Sequence, residues 1–64
     1  MIREIKKAIN EEVDSSLEYL NMANELTEIG VPYYITKYIF KIADDELKHA
    51  EMLQGILRVL KGGK

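Results

Sequence analysis

Apolar residues recur along the chain at intervals of three and four, in two long blocks separated by a single break. In the first block one stripe runs Ile2, Ile5, Ile9, Glu12, Ser16, Tyr19, Ala23, Leu26, and Val13, Leu17 and Leu20 form a second strip beside it. In the second block a stripe runs Ile35, Ile39, Ile42, Glu46, His49, Leu53, Ile56, Leu60, flanked by Phe40, Ala43, Leu47, Ala50 and Leu57. This spacing puts each set on one face of an α-helix, and nothing in the chain alternates with the two-residue period of a strand. The break is Gly30-Val31-Pro32. Glycine supplies the left-handed residue that ends a helix, and a proline close behind it cannot continue one.

The pattern therefore predicts an all-α chain, with helix A over about 2–29, a turn at 30–32 and helix B over about 33–61. A connection this short makes the helices an antiparallel hairpin. Gly62 and Gly63 punctuate the tail, and Gly55 falls inside helix B, where it suggests a close helix contact. Each helix carries more apolar surface than one neighbour can cover. The surplus predicts a homodimer, a four-helix bundle, with room for a higher oligomer.

Length sharpens this expectation. A chain of 64 residues forms one domain and buries too little surface to be comfortably stable alone. It has no cysteine, so it can form no disulfide and offers no thiolate to a metal. Oligomerisation and metal binding remain as sources of stability. The formal net charge is −2, from 11 acids against 9 bases, which offers no basic face for nucleic acid. No apolar run reaches the length of a membrane span, and the charged start Met1-Ile2-Arg3-Glu4 is unlike a signal peptide. A cytoplasmic location is the plain expectation.

The chemistry lies in the polar residues that interrupt the apolar stripes. A buried carboxylate with no partner is costly, or it takes up a proton. Yet Glu12, Glu46 and the single histidine, His49, all fall on stripe positions. Glu46 and His49 are three apart and share a face. In a hairpin centred on Gly30, facing residues have numbers adding to roughly 60, so Glu12 falls at the level between Glu46 and His49. A two-fold copy of the hairpin would then bring together a glutamate from each of two helices and Glu-x-x-His from each of the other two. That is the ligand pattern of di-iron carboxylate bundles. Four carboxylates balance two divalent cations, and carboxylate with imidazole suits iron or manganese, with zinc as a further fit. A plainer reading competes: the charges are solvated and the helices form a non-catalytic dimerisation module, or a structural metal-binding bundle without turnover.

The residues that carry this pattern resemble the ferritin-like superfamily, which includes ferritins, rubrerythrins and two-helix encapsulated ferritins. Those proteins place a ligand glutamate on one helix, often with a tyrosine seven residues later, as in Glu12-Val13-Asp14-Ser15-Ser16-Leu17-Glu18-Tyr19. Their next helix carries Glu-x-x-His, as in Asp45-Glu46-Leu47-Lys48-His49-Ala50-Glu51. The resemblance covers nearly the whole chain, but only one helix pair of the usual two.

It implies that Glu46 bridges the metals, His49 supplies a nitrogen ligand, Glu12 is a terminal carboxylate and the Tyr19 hydroxyl bonds a ligand carboxylate. Glu11 is the rival to Glu12. Asp45 and Glu51 flank the motif and read as solvated, and Tyr33, Tyr34 and Tyr38 read as packing or contact residues. The resemblance further implies two iron ions per dimer and oxidation of Fe(II) by dioxygen or peroxide, as in a ferroxidase or a peroxide scavenger. The rubredoxin-like cysteine module of a full rubrerythrin is absent. A hairpin encloses no volume, so storing iron would call for a larger assembly or an encapsulating compartment.

Overall fold

The structure, a computed structural model, describes residues 1–62. Two helices make up the fold, α1 over Ile2–Glu28 and α2 over Tyr33–Leu60, and they pack side by side into a rod 48 × 17 × 11 Å. The expected boundaries hold to within a residue, because Ile29 caps α1 rather than continuing it. Gly63 lies outside the described residues.

The turn is built by backbone hydrogen bonds. The Val31 amide donates to the Leu26 carbonyl at 3.0 Å and the Gly30 amide to Thr27 at 3.1 Å. These are the paired bonds of a Schellman motif, which satisfy the last carbonyls of a helix. The motif needs a left-handed residue at its centre, and Gly30 has φ +95°. Val31 and Leu26, both half-buried, occupy the two positions whose apolar contact commonly accompanies this motif. Pro32 then caps α2 in an extended conformation, and its carbonyl accepts from the amides of Ile35 and Thr36.

The seam between the helices is made of small residues. On α1 the buried positions are Ile9, Ser16 and Ala23; on α2 they are Thr36, Ala43 and Ala50. Each set repeats every seven residues. In antiparallel order Ile9 matches Ala50, Ser16 matches Ala43 and Ala23 matches Thr36, so residue numbers across the seam add to 59, one off the expected sum. Small side chains let helix axes approach towards the near end of the usual 8–10 Å range.

On α2 this seam departs from the sequence expectation. It runs through Ala43 and Ala50, assigned to the flanking strip, and through Thr36, which the apolar pattern passed over. The larger residues of the expected stripe lie to one side, and Ile35, Ile42, Ile56 and Leu60 remain 41–50% exposed. Apolar spacing marks how wide a helix's apolar face is. It does not reveal which strip of that face meets which neighbour, and close approach favours the smallest side chains. Thr36 is 1% exposed, and its hydroxyl has no hydrogen-bond partner.

Gly55 also departs from expectation. A methyl group added there would meet nothing within 4 Å, so it marks no close contact inside the hairpin. Among the described residues no helix is long and apolar enough to cross a membrane.

Candidate metal centre

Glu12 lies on α1 between the seam residues Ile9 and Ser16, three residues from one and four from the other. Seam packing therefore fixes its backbone and directs its side chain along the seam's edge. Glu46 and His49 stand in the same relation to Ala43 and Ala50 on α2. The hairpin brings the three together. A ligand atom from each of Glu12, Glu46 and His49 can be chosen so that all lie within 4.8 Å of one another. His49 Nδ1 lies 3.1 Å from Glu12 Oε2. An ionised carboxylate only accepts, so in that contact the imidazole Nδ1–H donates. Donors bound about 2.1 Å from one ion sit roughly 3–4 Å apart. Small side-chain adjustments would draw this set onto one cation.

The electrostatics of the cluster favour a cation. The Glu46 carboxyl is pushed above the ordinary glutamate value. Partial burial is the main cause, followed by the charge of Glu12 and a hydrogen bond with it; His49 opposes the shift and Asp45 adds to it. Two carboxylates and an imidazole pressed together at the edge of an apolar seam are hard oxygen donors with one borderline nitrogen. That donor set fits a divalent iron or manganese ion, and the ion's charge would offset the Glu12–Glu46 repulsion that adds to the effect of burial on Glu46.

The neighbouring candidates separate clearly. Glu11 is exposed and outside the cluster, so geometry selects Glu12 of the two. Asp45 forms an ion pair with Lys41, and that hydrogen bond is the first cause of its lowered pKa. The four-residue spacing of Lys41 and Asp45 was a legible signal for the pair. Glu51 is exposed. Tyr19 is half-buried two turns along α1 from Glu12, and its hydroxyl forms no hydrogen bond with the triad inside one hairpin. Tyr33, Tyr34 and Tyr38 are 63–70% exposed, and the Tyr33 ring tilts against Phe40 at 6.4 Å.

The triad is open on one side. Glu12 and Glu46 are half-buried, but the His49 side chain keeps 50% of its exposure. Along the same side of the hairpin run the exposed Ile35, Ile42, Ile56 and Leu60 of α2. On a helical wheel these four and His49 point the same way, out of the plane of the hairpin. Neither family models, curated proteins nor solved structures provide a match to this chain.

Proposed function

We propose that this chain is one half of a ferritin-like di-iron bundle, completed by a second copy, and that it oxidises Fe(II) with dioxygen or peroxide. The observation that carries the reading is the clustering of Glu12, Glu46 and His49, from two helices, within 4.8 Å. The exposed apolar stripe around the triad supports the two-fold partner. A copy laid across that stripe would cover Ile35, Ile42, Ile56 and Leu60 and set a second triad against the first.

In this reading the chain's own residues do five things. The small-residue seam holds Glu12 at a fixed distance from α2. Glu46, at the edge of the seam, would offer its carboxylate to the metal. His49 supplies the nitrogen donor. The apolar stripe excludes water from the flanks of the site once the second copy is in place, which strengthens every charge interaction inside it. Tyr19, half-buried two turns along α1 from Glu12, would hydrogen-bond a ligand carboxylate of the assembled bundle. The bound iron would supply the redox chemistry, passing electrons from Fe(II) to the oxidant. The ferritin-like kinship, the iron identity and housing in a separate compartment are parts of this same proposal.

The test loads metal-free protein with Fe(II) under anaerobic conditions, then admits oxygen or peroxide and follows Fe(III) formation. The expected result is about one iron per chain, two per dimer, with rapid oxidation that Glu46→Ala abolishes. Equal oxidation rates in the two proteins would overturn the catalytic reading. A second reading, a helical dimerisation module with no metal, draws on the same exposed stripe. It predicts a stable dimer whose assembly ignores Fe(II), whereas a site between chains makes metal favour the dimer.

A further inference from the structure

The hairpin has a second outward side, across the seam from the metal cluster. Glu12 reaches towards His49 on one side of α1, while Lys6 and Asn10 on the other line an open groove with Gln54, Arg58 and Lys61 of α2. Along that far side of α1 the residues at successive three- and four-residue steps are Lys6, Asn10, Val13, Leu17, Leu20, Asn24 and Glu28. Read from either end, the order is a charge, an asparagine, an apolar residue, then Leu17. The two ends carry opposite signs.

Several residues of this strip have no partner in the hairpin. Leu17 is 53% exposed. Lys6 and Glu28 are exposed, and neither takes part in an ion pair among the described residues. Glu28 lies in the last turn of α1, which holds no basic residue; a carboxylate there stands at the unfavourable end of the helix dipole. Arg58 and Lys61 strengthen the positive end, and Glu25 the negative one.

We propose that this strip is a second self-association surface, on which α1 of one copy packs antiparallel to α1 of another about a two-fold axis through Leu17. Position 17 lies midway between 6 and 28, and midway between 10 and 24. The axis therefore sets Leu17 against Leu17, Asn10 against Asn24 and Lys6 against Glu28, with Val13 and Leu20 meeting one residue off that register, each hetero-pair twice. The partner is a second copy of this chain because the strip is complementary to itself only when reversed. Parallel pairing would set Lys6 on Lys6 and Glu28 on Glu28. The asparagine pairs add register, since a polar residue in an apolar helix seam penalises every slipped alignment. The surface leaves the metal-bearing side free, so the inference does not rest on the metal reading. If both surfaces are used, dimers join into larger assemblies.

The chain has no cysteine, so a single introduced one reports its own proximity to a copy of itself. Metal-free Leu17→Cys, oxidised gently, is expected to give a disulfide-linked dimer at low concentration. Glu18→Cys, exposed but turned off the strip, should stay largely monomeric on denaturing gels. In sedimentation, Lys6→Glu and Glu28→Lys alone should each weaken this association about tenfold, since each sets like charges together at both ends. The double variant K6E/E28K should recover it. Cross-linking of L17C no faster than E18C, or a double variant no tighter than either single one, would overturn the proposal. Metal stoichiometry should be unchanged in all of these proteins, which separates failure here from failure of the metal site.

Discussion

Replacing Ala43 with leucine should disable the metal cluster without touching a ligand. Ala43 is 2% exposed at the centre of the seam and matches Ser16, itself 1% exposed. Axes packed through alanine and serine lie near the close end of the 8–10 Å range, and a leucine there would push them roughly 1–2 Å apart. Ser16 is four residues from Glu12 and Ala43 three from Glu46, about 4.5–6 Å along the axis, so most of that displacement reaches the cluster. The 3.1 Å contact between His49 Nδ1 and Glu12 Oε2 would open to roughly 4–5 Å. Metal sites hold their bond lengths to within about 0.2 Å, so a shift of that size separates one helix's ligands from the other's. Overpacking itself costs about 1–3 kcal/mol. Calorimetric titration with Mn(II) or Fe(II) reads the affinity, and circular dichroism with urea unfolding reads the fold. The expected outcome is a folded protein of reduced stability and sharply reduced metal affinity, with Ala43→Val between it and the parent and Ala43→Ser close to the parent. A folded Ala43→Leu protein with undiminished affinity would refute the argument that the seam sets the ligand spacing.

Thr36→Val keeps the branched shape but removes a buried hydroxyl with no partner, so it should stabilise the chain by about 1 kcal/mol in urea unfolding. Gly55→Ala adds a methyl group into open space within a helix and should raise stability by about 0.5–1 kcal/mol; a loss instead would mean that a second copy packs against Gly55. Acid should release the metal before an ordinary carboxylate site would, because the raised pKa of Glu46 lets protons compete at higher pH. The same shift has the opposite effect on the metal-free chain. The folded state holds this proton more tightly than the unfolded state, so the Glu46 contribution to stability falls as pH rises through its raised pKa. Asp45, with a lowered pKa, contributes stability present above its unfolded value and lost as pH drops through the lowered one. Urea midpoints of the metal-free protein across about pH 3 to 7 would show both slopes, and Glu46→Gln should flatten the upper one alone.

The two helices, their turn and the composition of the cluster were legible in the order of residues alone. Periodicity and punctuation are local properties. Gly30 before Pro32 can end one helix and admit the next whatever surrounds them, and Glu46 and His49 share a face because three residues span nearly one helical turn. The antiparallel register also followed from the short turn, to within one residue in the sum across the seam, and so did the nearness of Glu12 to the Glu46 motif.

Which strip of the α2 apolar face meets α1 depended on packing between the two helices. The stripes on α2 were wide enough to admit two answers, and the contact went to Thr36, Ala43 and Ala50 because small side chains permit the closest approach. That choice fixes everything downstream. It leaves Ile35, Ile42, Ile56 and Leu60 exposed beside the cluster, while the α1 seam through Ile9, Ser16 and Ala23 selects Glu12 over Glu11 and turns the strip from Lys6 to Glu28 outward on the opposite side. A linear pattern records how much surface must be covered; only the packed pair shows which surface is covered and which is left for another chain.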